Sequence, residues 1–192
     1  MYTKAELLAI REVCDRHGLY LFIDGARLAS ALTSPDTDVT AEFIGQVADV
    51  FYVGGTKCGA MFGEAVVFTN RTLATEFRPY MKNRGALLAK GHTLGVQFEA
   101  LFTNDLYFRL AKRANDMADY IRDELDRRGV SLEGSGRTNQ LFIRFTKEKG
   151  YEMFDRFGLE IWSEDDHSIL SRIVTTYRTT TEDCDELIDA II

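Results

Sequence analysis

The chain has 192 residues, 45% hydrophobic and 28% charged, the balance of an ordinary globular protein able to bury a core. Its formal net charge is −7, so there is no basic surplus to neutralise phosphates, and neither nucleic acid nor an anionic membrane surface is an expected partner. Three widely spaced cysteines (Cys14, Cys58 and Cys184) form no CxxC or Cys/His ligand pattern, so no disulfide framework and no metal site is expected, and a reducing, cytoplasmic compartment is the default. No run approaches the apolar length of a membrane span, and no signal-peptide pattern opens the chain.

The first predicted element is a helix over Thr3–Arg16. Thr3 and Glu6 have capping-box spacing, and Leu7, Ile10, Val13 and Cys14 recur with helical period. Gly18 is placed to end it. "LYLFI" then reads as a continuous buried strand of a parallel sheet covered on both faces, ending at Asp24-Gly25-Ala26-Arg27. A loop follows, then a short helical piece near Thr40–Val47. The strand "DVFYVGG" ends just before Lys57, and "EAVVFTN" is the next strand.

Asn70–Asn83 and Leu94–Phe102 read as helical, joined by "RGALLAKGH", and Asp105–Arg128 as a long amphipathic helix stopped by Gly129. After it come short strands in "QLFIRF", "GLEIWS" and "SRIVTTY", a helix near Lys147–Phe157, and a closing helix capped by Thr180 or Thr181. The expected class is α/β, a mainly parallel sheet with helices over residues 1–104. A small α+β domain follows over 105–192, linked by the long helix.

Parallel α/β sheets bind ligands beyond the carboxyl ends of their strands, and two such ends here carry reactive groups. Asp24 follows "LYLFI", and Lys57 follows "DVFYVGGT" in a loop of small residues. A lone lysine in a glycine-rich loop is most often a solvated charge, and Asp-Gly is an ordinary turn signal. Together they suit pyridoxal 5′-phosphate, which needs an amine for its Schiff base and a carboxylate to keep the ring nitrogen protonated. Small neighbours let a flat ring approach, and Arg27 supplies a fork for a substrate carboxylate.

"LFIDGARL" followed by "DVFYVGGTKCGAMFGEAVVF" closely resembles the threonine aldolase and β-eliminating lyase family of pyridoxal-phosphate enzymes, of fold type I. "LSRIVTTYRTTTEDCDELI" extends the resemblance to essentially the whole chain. The resemblance implies that Asp24 pairs with the ring nitrogen, Lys57 bears the cofactor, and Arg27 and Arg172 bind the substrate carboxylate. It implies further that Thr56 donates to the cofactor phosphate and that Lys90 reaches the phosphate of a neighbouring subunit. The implied assembly is a homo-oligomer, a dimer or tetramer. The implied reaction is cleavage of L-threonine or L-allo-threonine to glycine and acetaldehyde.

Members of that family carry a long portion ahead of the helix that opens this sequence. It supplies further strands, a phosphate-binding helix start and a ring-stacking aromatic or histidine. No such unit precedes Asp24, and His17, His92 and His167 have no visible stacking role, so the chain is expected to correspond to the C-terminal portion of such an enzyme, with weak cofactor binding and little or no turnover. Alternatives are a catalytically silent fragment, or half of a split enzyme serving assembly, or a related lyase or aminotransferase. A cofactor-free Schiff-base aldolase is disfavoured, because those enzymes usually occupy (β/α)8 barrels.

Overall fold

A computed structural model describes all 192 residues. They form two compact units: residues 1–32 with 37–109, and residues 33–36 with 110–192.

The first unit opens with helix α1 (Lys4–Arg16), started by a complete capping box between Thr3 and Glu6. Gly18 ends it at φ +63°, a backbone state only glycine adopts freely, and Leu19 N–H closes back on the Cys14 carbonyl. A three-stranded sheet follows in the order β1 (Phe22–Ile23), β2 (Val50–Val53), β3 (Ala65–Phe68). β1 pairs in parallel with β2, and β2 pairs antiparallel with β3. Between β1 and β2 lie α2 (Leu28–Leu32), in a stretch expected to be loop, and α3 (Ala41–Val47), capped by Thr40. After β3 a 3-10 turn over Arg71–Ala74 leads to α4 (Phe77–Asn83) and then α5 (His92–Phe102).

The expected five-residue buried strand is a correction. Only Phe22 and Ile23 join the ladder, and Phe22 is 57% exposed, as an edge position with a partner on one side only. The strand is held less by ladder bonds than by one carboxylate. Asp49 Oδ2 accepts from Leu21 N–H at 2.8 Å and from Arg11 Nη1 at 2.6 Å. Arg11 Nη2 also donates to the Leu19 carbonyl at 3.1 Å. On the other side, the Asp49 carbonyl accepts from the Thr69 and Asn70 N–H groups, each at 3.1 Å. Burial alone would raise the Asp49 pKa; the bonds from Leu21, Arg11 and Asn70 outweigh it and hold the carboxyl below its usual range.

The second unit holds most of α6 (Leu106–Arg127), the sheet β4 (Gln140–Thr146), β5 (Glu160–Glu164) and β6 (Ser168–Val174) in the order β4-β6-β5, and helices α7 (Lys147–Phe157) and α8 (Thr181–Ile191). All pairings are antiparallel. One face alternates inward: Leu141, Ile143, Ile169 and Ile173 are at most 3% exposed. Leu141, Ile143 and Ile173 pack with Ile121, Leu125, Met153 and Ile188. Gly150 is needed in α7 because a Cβ there would lie 2.8 Å from the Ile169 side chain.

The Asp49 junction carries a pH signature. A carboxyl with a depressed folded pKa stabilises the fold above its unfolded value and loses that contribution as pH falls through the folded value. Asp49→Asn is expected to cost about 1.5–3 kcal/mol near neutral pH, the range for a hydrogen bond to a charged group. The wild-type advantage should shrink below about pH 4. Urea denaturation followed by circular dichroism across pH checks both.

Candidate functional site

The register of the first sheet assembles the site. Phe22 pairs with Val50 and Ile23 with Phe51, so the next step sets Asp24 beside Tyr52. The Tyr52 hydroxyl accordingly donates to Asp24 Oδ1 at 2.5 Å, and Ala26 N–H donates to the same oxygen at 3.0 Å. Those two bonds, Tyr52's first, pull the Asp24 pKa below its usual range, with a smaller contribution from the charge of Lys57. Reciprocally, the Asp24 carboxylate pushes the Tyr52 phenol up to about 12. Asp24 thus stays ionised, and no donor of the chain engages Oδ2.

One residue further, the strand ends close on each other. Gly54 N–H donates to the Gly25 carbonyl at 2.9 Å. A Cβ on Gly25 would lie 1.6 Å from the Tyr52 oxygen, and one on Gly54 would lie 2.4 Å from the Ala26 oxygen. No side chain fits at either place, so these glycines are what allow the Asp24 turn and the Lys57 loop to share one end of the sheet.

The loop Gly54–Gly63 is tied down around Lys57. Cys58 N–H and Ala60 N–H both return to the Gly55 carbonyl, at 2.9 and 3.0 Å. The Cys58 thiol donates to the Tyr107 carbonyl at 3.1 Å, and the buried Tyr107 hydroxyl donates to the Gly54 carbonyl at 3.0 Å. Burial first, then neighbouring charge, pushes the Tyr107 phenol well above its ordinary range, so it remains a donor. Gln97 of α5 accepts from Met61 N–H at 2.7 Å. The Lys57 side chain itself is exposed and enters no ion pair.

Of the expected site residues, the fold brings Asp24 and Lys57 together and places Arg27, half-buried, in the turn that opens α2. Thr56 donates its hydroxyl to Glu64 Oε1 at 2.9 Å. Lys90 is exposed in a turn, where its carbonyl accepts from Thr93 N–H at 3.0 Å. Arg172 belongs to the second unit, on β6. There it donates to Gln140 Oε1 at 2.9 Å, pairs with Glu160, and stacks on Trp162 with its guanidinium carbon 5.0 Å from the ring centre. His17 caps α1, His92 is exposed at the first residue of α5, and His167 lies in the turn between β5 and β6. No group of three or more His, Cys, Asp or Glu side chains is placed to hold a metal ion, and no helix is long and apolar enough to cross a membrane.

Sequence reading missed Tyr52, Glu64 and Tyr107. The signal for Tyr52 was the offset of 28 residues between Asp24 and Tyr52, legible only once the parallel register is known.

The family model described as beta-eliminating lyase matches residues 1–148. A low specificity L-threonine aldolase of Pseudomonas aeruginosa is 32% identical over 148 residues, 77% of this chain and 43% of its own length. Its namesake from Pseudomonas sp. is 31% identical over 167 residues, 82% of this chain and 48% of its own length. The solved structure of Leishmania major threonine aldolase superposes with a TM-score of 0.92 at 40% identity, covering 100% of this chain and 56% of that one. Lysine aminotransferase from M. tuberculosis, at 17% identity and a TM-score of 0.58, covers 99% of this chain and 44% of that one, and shares the fold alone. The chain spans about half the length of the curated relatives it matches.

Two variants probe the site's geometry. Tyr52→Phe removes the first cause of the low Asp24 pKa, so the Asp24 carboxyl should titrate at higher pH than in the wild type, read by carbon-13 NMR. Gly25→Ala should destabilise the chain by about 1–3 kcal/mol or more, the cost of overpacking, read by thermal unfolding.

Proposed function

The chain belongs to the beta-eliminating lyase family and has the fold of type I pyridoxal-phosphate enzymes, and from that premise we propose that it carries the cofactor-binding lysine and aspartate of a low-specificity L-threonine aldolase. The reaction is cleavage of L-threonine or L-allo-threonine to glycine and acetaldehyde. The observation that carries this reading is the placement of Asp24 and Lys57 at the carboxyl ends of two adjacent parallel strands. The threonine aldolase names of the relatives support it.

The residues present fit pyridoxal phosphate on its ring side. Asp24 is ionised with Oδ2 open, the Lys57 amine is unpaired, and the backbone between them bears no Cβ at Gly25, Gly54 or Gly55. When bound, that group supplies an electron sink for the carbon–carbon bond electrons of an amino acid. Asp24 would hold the proton at the ring nitrogen, with Tyr52 fixing its orientation. Lys57 would hold the cofactor covalently. Arg27 would orient the substrate by its carboxylate, and Arg172 would be a second carboxylate clamp. Of the two residues expected at the phosphate, Lys90 is the candidate, since the Thr56 hydroxyl already donates to Glu64 Oε1.

Residues 1–104 would then be part of the cofactor-binding large domain and 105–192 the small domain. A homo-oligomer, dimer or tetramer, fits the exposed apolar side chains of the first unit, among them Tyr20 at 64%, Phe22 at 57% and Met61 at 87%.

Borohydride reduction of the chain with pyridoxal phosphate, followed by peptide mapping, tests the assignment. The label should fall on Lys57 and vanish in Lys57→Ala with no change in thermal unfolding. A label spread evenly over the lysines would refute it. In an active assembly, Asp24→Ala should lower kcat by about 100-fold or more, the scale for a key electrostatic partner.

A further inference from the structure

We propose that Glu64 is the positioning residue of the Lys57 loop, and that it takes the Thr56 hydroxyl for this purpose rather than leaving it to a phosphate. The inference rests on the cofactor reading above for its function, and on hydrogen bonds within the chain for its structure.

The antiparallel register brings Glu64 to the loop. Val53 pairs with Ala65, so the next pair outward is Gly54 with Glu64, at the point where the strands part. Both carboxylate oxygens are used there. Glu64 Oε2 accepts from Gly55 N–H, and Oε1 accepts from Thr56 Oγ1 at 2.9 Å. Both groups lie within two residues of Lys57, and Glu64 is the carboxylate bonded to this loop. Its charge reaches further, since it contributes to the raised pKa values of Tyr52 and Tyr107.

The rest of the loop shows why such an anchor has work to do. Downstream of Lys57, the N–H groups of Cys58 and Ala60 fold back on the Gly55 carbonyl, so the Lys57 turn hangs from the Gly55–Thr56 peptide. Gly55 also has no room for a side chain. A Cβ there would lie 2.8 Å from the Gly63 oxygen and 2.9 Å from Phe98 Cζ. Glu64 holds the Gly55 N–H on one side of that peptide and the Thr56 hydroxyl on the other, and so fixes the turn that presents the lysine.

A hydroxyl has one proton to donate. The Thr56 proton is directed at Glu64, and a phosphate dianion offers only acceptors, so the two acceptors compete for it. The local geometry favours the carboxylate, because the Gly55 bond to Oε2 holds Oε1 beside the hydroxyl.

Two readouts on the full 192-residue chain test this, one needing no cofactor. Amide hydrogen exchange of the Gly55–Ala60 segment should speed by about tenfold or more in Glu64→Ala, the effect of losing one charge-assisted bond. Glu64→Gln, which keeps a carbonyl acceptor for Gly55, should restore most of the protection. Borohydride labelling of Lys57 should fall by the same factor with pyridoxal as with pyridoxal phosphate in both Glu64→Ala and Thr56→Val, because the defect lies in the loop. A Thr56→Val loss confined to pyridoxal phosphate would overturn the proposal by returning Thr56 to the phosphate. Unchanged exchange in Glu64→Ala, with Lys57 labelled normally in the wild type, would overturn the role of Glu64 alone. Failure of the wild type to label at Lys57 would overturn the cofactor reading, and with it the function assigned to Glu64, whatever the exchange shows.

Discussion

The first unit depends on Asp49. Its carboxylate gathers an N–H that opens the edge strand and a guanidinium from α1, while its own N–H and carbonyl bind Leu21 on one side and Thr69 and Asn70 on the other. One residue thus joins a helix and three strands whose ladders are only two and four residues long. Ladders that short leave much of a strand's backbone pairing to other groups, and a partly buried carboxylate with several donors is a strong substitute. The site at the far end of the strands inherits its precision from this near end. The Asp24–Tyr52 bond forms only if β1 enters the sheet where Asp49 sets it.

Much of this was legible in the sequence, for reasons that are local. The capping box of α1, the Thr180 cap and the Gly129 stop are written in neighbouring residues, and the elements fall where those signals place them. That Asp24 and Lys57 share one end of the sheet was legible because Asp24 directly follows one apolar run and Lys57 follows another across a short loop of small residues. The extent of β1 was not. "LYLFI" has the apolar run of a central strand, but Leu19 and Tyr20 make no ladder bonds, and run length does not tell how many partners a strand has. Helix α2 was missed because five residues carry too little periodicity to declare a helix.

Tyr52 and Glu64 were illegible for a different reason. Each lies in plain view, one in "FYV" and the other in "GEAVV", and each acts on a residue it meets only through strand pairing. The offset that brings Tyr52 to Asp24 and the turn that brings Glu64 to Gly55 are properties of the sheet. A lysine among glycines can be recognised from its neighbours; the side chains that reach its loop and Asp24 through strand pairing cannot.

The contact at Gly25 sets the fidelity of that pairing. Sliding β1 along β2 by one residue would carry Asp24 or Ala26, each with a Cβ, into the space beside the Tyr52 carbonyl, where a Cβ would sit at 1.6 Å. A slip would also turn Asp24 to the opposite face, since successive side chains alternate. A two-residue strand has almost no ladder of its own with which to resist sliding. The bare glycine therefore acts as a steric gauge, admitting one alignment and excluding its neighbours, so that the shortest strand in the protein is also among the least free to shift.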